Sequence, residues 1–115
     1  MPNLIMEYSN SVEERVNIPS LLEDVHQVAL QSGLFNLASV KSRAIRVNDW
    51  MIGEEGNSDD FIHICVELLD GRSEEQKSVL SQQLIEALQV HAAHVRSLTV
   101  NIREMDRACF QKVVN

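Results

Sequence analysis

The stretch that most limits the fold is the run from residue 61 to residue 77, where a strand passes through a short junction into a capped helix. In residues 61–69, Ile62, Ile64, Val66 and Leu68 recur at every second position, the period of a strand with one buried face. Gly71-Arg72-Ser73 then interrupts the pattern. Ser73-Glu74-Glu75-Gln76 has the spacing of a capping box, in which Ser and Gln side chains satisfy each other's backbone N–H groups. Leu80, Leu84, Ala87, Leu88 and His91 follow on one helical stripe, so a helix is predicted to about His94. Residues 97–103 alternate again, with Leu98, Val100 and Ile102 inward. A strand, a helix and a strand in this order call for parallel strands and a right-handed crossover.

The first half of the chain repeats that order without repeating its letters. Residues 3–8 are apolar around Glu7, and Pro2 suits the first position of a strand, where its missing N–H costs the ladder nothing. Ser9-Asn10-Ser11 ends the strand. Leu21, Leu22, Val25, Val28 and Ala29 mark a helix over residues 18–32. Ser20 with Glu23 is one candidate cap, Asn17 is its rival, and Gly33 suits the position after the helix end. Residues 40–47 place Lys41, Arg43, Ile45 and Val47 on one face of a strand, and the Gly- and acid-rich residues 51–60 read as a loop. The last dozen residues show no pattern. The expectation is an α+β fold, β-α-β-β-α-β, with a four-stranded mixed sheet and two helices on one face, residues 1–115 forming a single domain. Nothing in the chain covers the other sheet face, which carries apolar Phe61 and Cys65; such a face calls for a partner subunit.

Charge narrows the function. With 10 Lys and Arg against 17 Asp and Glu, the net charge is −7, a poor match to nucleic acid or an anionic membrane. An anionic ligand needs a local basic pocket working against that field. No signal peptide or membrane-spanning run is present, and Cys65 and Cys109 lack a CxxC spacing, so a cytoplasmic setting with free thiols is expected.

Four residues stand out chemically. Removal of Met1 would make Pro2 a free secondary amine; α-amino groups have an intrinsic pKa of about 7.7–8.0, and burial or a nearby cation lowers it. Such an amine can act as a general base near neutral pH. Arg72 lies between the end of a strand and the start of a helix, a favoured place for anions, where its fork can hold a carboxylate. Lys41 and Arg43, two apart, point to the same side, and alone they read as a charged strand end. His91 and His94 have helical spacing but no acidic or thiol co-ligand pattern, so no metal is expected; Ser9 and Ser73 lack visible triad partners, and no phosphate loop or dinucleotide fingerprint occurs.

Together these features resemble 5-carboxymethyl-2-hydroxymuconate isomerase, of the tautomerase superfamily. The resemblance rests on Met1-Pro2 opening a strand that ends in Glu7-Tyr8-Ser9, on Lys41-Ser42-Arg43 with Trp50 beyond, and on Gly71-Arg72-Ser73 before the second helix. It implies a homotrimer with sheets inward and helices outward. It also implies a cofactor-independent isomerase of homoprotocatechuate degradation in 4-hydroxyphenylacetate catabolism, converting a small anionic dienol to its conjugated keto isomer. Carried over, Pro2 is the amino-terminal base, Arg72 the carboxylate and oxyanion clamp, and Lys41 and Arg43 bind substrate. The family favours Arg where this chain has Lys41, which cannot make the planar two-pronged contact; Arg43 fits the pattern better. That change bears on the substrate more than on the reaction. The alternatives are a tautomerase of another α-keto acid such as phenylpyruvate, and a non-catalytic trimeric binding protein in which a retained Met1 leaves Pro2 an amide.

Overall fold

A computed structural model describes residues 1–115. The elements run β1 (Asn3–Ser9), α1 (Ile18–Gln31), β2 (Lys41–Val47), β3 (Phe61–Leu68), α2 (Glu74–Ala92) and β4 (Ser97–Glu104). Short 3-10 turns at Asn10–Glu14, Leu37–Ser39 and Arg107–Cys109 fill the connections. The sheet order is β2-β1-β3-β4. β1 pairs with β2 and β3 with β4 in parallel, each across a helix; β1 and β3 meet antiparallel in the middle. The expected mixed sheet is therefore two β-α-β units joined along their first strands.

Local chemistry sets each boundary. The Ser73 hydroxyl accepts from the Gln76 N–H at 3.1 Å while the Gln76 side chain accepts from the Ser73 N–H at 2.9 Å, the reciprocal cap that starts α2. For α1 the rival cap wins: Asn17 accepts from the Ser20 N–H at 3.1 Å. This leaves Pro19 inside the first turn, where its missing N–H is harmless. Gly33, with φ of 76°, turns the chain away from α1. The second helix stops at Ala92, one half-turn before the expected end, and Ala93–Val95 turn into β4.

Alternation decides which side of the sheet is the core. Leu4, Met6 and Tyr8 of β1 and Ile62, Ile64, Val66 and Leu68 of β3 are buried on the helix side. They meet Leu21, Val25 and Ala29 from α1 and Leu80, Leu84, Leu88 and Ala92 from α2 in one cluster. Leu98, Val100 and Ile102 of the edge strand β4 face inward as expected but stay half-buried. The opposite face carries rows set by the register: Lys41, Asn3, Glu67 and Arg103; then Arg43, Ile5, Cys65 and Asn101; then Ile45, Glu7, His63 and Thr99. No element of this chain packs on that face.

Core and surface positions on α2 should respond very differently to truncation. Leu84 is wholly buried and Val90 is 83% exposed. Leu84→Ala should cost about 2–5 kcal/mol in urea unfolding at fixed protein concentration, and Val90→Ala less than about 0.5 kcal/mol. Equal effects would contradict the packing described.

Candidate active site

The sheet register gathers the chemistry at one end. Asn3 lies between Lys41 on β2 and Glu67 on β3, and its side-chain amide donates to Glu67 Oε1 at 3.2 Å. One residue upstream, the Pro2 carbonyl accepts from the Lys41 N–H at 3.1 Å, extending the ladder past the strand proper. Pro2 is buried, and with Met1 attached its nitrogen is an amide. β3 leaves the sheet beside it. The chain then turns through Gly71, at φ 116°, and delivers Arg72 to the start of α2. Pro2, Lys41 and Arg72 thus belong to one end of the sheet. Arg43 stands a row further down the open face, exposed, beside Ile5.

Arg72 is held more firmly than a loop arginine needs to be. Its Nε and Nη2 donate to the Leu34 carbonyl at 3.3 and 2.8 Å, and Nη1 donates to the Leu69 carbonyl at 3.2 Å. The guanidinium also lies over the Phe35 ring, 5.1 Å from its centroid. The side chain therefore ties the turn after α1 to the end of β3. Three of its five N–H groups are used, and two remain for a ligand.

The amino terminus has an altered basicity. Burial lowers the pKa of the Met1 amine below the usual 8.0, and the Lys112, Lys41 and Arg72 cations lower it further, as does a hydrogen bond from Lys112. Each cation disfavours a fourth positive charge. Lys112 lies in the stretch that showed no sequence pattern. The tail reaches this place because the Met105 N–H donates to the Leu68 carbonyl at 2.7 Å and Arg107 grips Asp70, Nε to Oδ1 at 2.6 Å and Nη2 to the carbonyl at 3.0 Å. The only sequence signal was a Lys in an unpatterned tail.

The remaining polar groups have structural partners. Ser73 caps α2, and buried Ser9 accepts from the Phe61 N–H at 3.0 Å. His26 pairs with Ser42 and His63 with Thr99, each at 2.6 Å, and His91 bridges to Asp24 between the helices. A cleft of about 630 Å³ lined by Asn48, Asp49, Trp50 and Met51 opens at the opposite end of the sheet, without a cation. No helix is long and apolar enough to cross a membrane.

Two β-α-β units, one mixed sheet, both helices on one face and an amino terminus entering a central strand make this a subunit of the tautomerase-superfamily type. The sequence profile of 5-carboxymethyl-2-hydroxymuconate isomerase matches residues 2–115, beginning at Pro2, and the chain belongs to that family of isomerases. It is 28% identical over 93 residues to the 5-carboxymethyl-2-hydroxymuconate Delta-isomerase of Escherichia coli, covering 81% of this chain and 74% of that protein. The crystal structure of a 5-carboxymethyl-2-hydroxymuconate isomerase from Deinococcus radiodurans R1 superposes with a TM-score of 0.88 at 29% identity, over 99% of this chain and 90% of that one. A fused 4-OT, described as a symmetric trimer, shares the fold at a TM-score of 0.78 and 20% identity, over 98% and 92% of the two chains.

The two thiols differ in reactivity. Burial raises the Cys65 pKa, with the Glu67 carboxylate adding to the effect, whereas Cys109 is exposed. Thiolate is the reactive form. Iodoacetamide near pH 8 should therefore label Cys109 well before Cys65, as read by peptide mass spectrometry; faster labelling of Cys65 would contradict this burial.

Proposed function

We propose that the protein ketonises a dienol di- or tricarboxylate of the 5-carboxymethyl-2-hydroxymuconate type, with Pro2 as base once Met1 is removed. The observation that supports the reading is the place of the amino terminus: the Met1 amine, one residue before Pro2, is partly desolvated and of lowered basicity among cations, in a chain of net charge −7. The neutral Pro2 amine takes the proton of the substrate 2-hydroxyl. As that O–H bond breaks, the oxygen's electrons form the ketone, the double bonds shift, and the distal carbon takes a proton back from the prolinium. No electrons are gained or lost overall, so no redox cofactor is needed. The two free N–H groups of Arg72 hold a carboxylate or the oxygen where negative charge develops. Lys41 and Arg43 serve as further carboxylate contacts, Arg43 from the open face.

Processing tests the base. Protein with Met1 enzymatically removed should turn over the dienol, and protein retaining Met1 should be slower by at least about 100-fold, the low end of the 10²–10⁴-fold worth of a positioned general base. Equal turnover by both forms would exclude Pro2 and point to another base, and no turnover by either would favour the non-catalytic binding protein. In the processed protein Arg72→Ala should lower kcat/KM by about 100-fold or more. It should also move the acidic limb of the pH profile upward: Arg72 lowers the pKa of the Met1 amine, the Pro2 amine one residue along is expected to lose the same influence, and higher pH is then needed to deprotonate it. Since Arg72 also holds the Leu34 and Leu69 carbonyls, its thermal unfolding is measured alongside.

The assembly follows from the uncovered face. Ile5, Cys65 and Phe61 lie among charged residues on a sheet side that this chain leaves open. A homotrimer with sheets inward covers it, and the trimeric fused 4-OT of the same fold supports that arrangement. Light scattering at micromolar concentration should give three times the 13.0 kDa chain mass; a monomer mass would overturn the trimer.

A further inference from the structure

The turn that follows α1 is built around Arg72. Ser32, the residue after the helix, donates its hydroxyl to the Ala29 carbonyl at 2.7 Å and accepts from the Leu34 N–H at 3.2 Å. Gly33 sits between them at φ 76°, a backbone that glycine adopts without strain. These contacts fix the Leu34 peptide, whose carbonyl accepts from both Nε and Nη2 of Arg72. Phe35 comes next, half-buried against the core, with its ring centroid 5.1 Å from the guanidinium carbon. The Leu69 carbonyl takes an N–H of Nη1 from the β3 side. Every one of these partners is uncharged. None of the four ion pairs of the fold includes Arg72.

Carbonyls and a ring hold an arginine in place without neutralising it. A carboxylate would hold it at least as strongly, through charge-assisted bonds, but would occupy its charge. A clip that only joins the α1 turn to β3 gains nothing by keeping the charge free; a group that meets an anion does. The ring has a separate task from the carbonyls. Hydrogen bonds to a carbonyl oxygen tolerate a tilt of the donor plane, whereas stacking on an aromatic face sets that plane. With the plane set, one free N–H on Nη1 and one on Nη2 lie in a fixed orientation for the oxygens of a ligand. We propose that Phe35 is a positioning residue of the candidate active site, its ring setting the plane in which Arg72 meets the charge of the substrate. This rests on the proposed isomerase reading, in which Arg72 holds a carboxylate or the oxygen where charge develops, and adds a residue to it. Phe35 acts through Arg72 and touches no reacting atom. Its removal leaves the cation present but free to tilt, so its effect is smaller than that of losing Arg72.

The test uses full-length protein with Met1 removed, as wild type, Phe35→Leu, Phe35→Tyr, Arg72→Ala and the double variant of Phe35→Leu with Arg72→Ala. Circular dichroism checks that each is folded at the assay temperature. Phe35→Leu keeps apolar bulk and loses the ring face. On a dienol tricarboxylate it should lower kcat/KM about tenfold, within the roughly 100-fold that a 1 Å misplacement can cost. Phe35→Tyr keeps the ring and should stay within about twofold of wild type. In the Arg72→Ala background, Phe35→Leu should change kcat/KM less than about twofold, because the group it positions is gone. A loss carried undiminished into that background is a general packing effect and overturns the proposal; so does an unchanged kcat/KM in Phe35→Leu, or a Phe35→Tyr as impaired as Phe35→Leu. If the processed wild type turns over no enol, the isomerase reading fails, and Phe35 is judged by binding alone. Propane-1,2,3-tricarboxylate should then bind Phe35→Leu at least about fivefold more weakly than wild type in calorimetry, while the double variant matches Arg72→Ala; equal affinities of wild type and Phe35→Leu overturn the proposal in that case too.

Discussion

The antiparallel pairing of β1 with β3 is the contact on which the remainder depends. Each β-α-β unit can pair its own two strands, but neither can bury its helix and its sheet alone. Joining the units along β1 and β3 sets Leu4 against Val66, Met6 against Ile64 and Tyr8 against Ile62, all buried. These pairs form a continuous apolar floor under both helices. The same register fixes the other face by default, because a one-residue slip would exchange the two faces entirely. It also decides that the start of β1 and the end of β3 finish side by side, which is why Pro2 and Arg72, seventy residues apart in sequence, belong to one end of the sheet.

Electrostatics at that end runs against the composition of the chain. The molecule is acidic, yet Lys41, Arg72 and Lys112 all act on the amino terminus. An amine among cations gives up its proton more readily, and a dianion is drawn to the same cations. One arrangement thus meets both requirements of the proposed reaction, a basic amine and a place for an anion. Arg72 adds a mechanical constraint, since its guanidinium is bonded to two main-chain carbonyls and stacked on Phe35. The sequence position of Arg72 suggested a ligand-binding loop residue; the structure adds a clip between the α1 turn and the β3 end.

Much of the fold was legible because its signals are local. Period-two strands, the Ser73–Gln76 cap and Gly33 each act within a few residues, and their elements appear within a residue or two of expectation. The choice of Asn17 over Ser20 as the α1 cap was open in the sequence, since both have suitable side chains and only the entering chain path decides between them. The site was legible in part. Pro2 and Arg72 stood out from their places at a strand start and a junction, whereas Lys41 and Arg43 alone read as a charged strand end and entered the candidate site only through the family resemblance. Lys112 was not, because its position depends on contacts with no sequence period: a backbone bond to Leu68 and the Arg107–Asp70 grip, thirty-seven residues apart.

The bond from the Lys41 N–H to the Pro2 carbonyl has a consequence for precision. Side-chain bases swing on two or more torsions, and holding them costs entropy that grows with each rotor. A base carried on the main chain, as proposed for Pro2, has no rotamers: its ring fixes φ, and the ladder fixes the peptide that follows. Its position is then a property of strand registration. Substitutions that loosen the edge pairing of β2 with β1, remote from any ligand, would blur the location of the amine, and rate would become a reporter of how well two strands stay aligned.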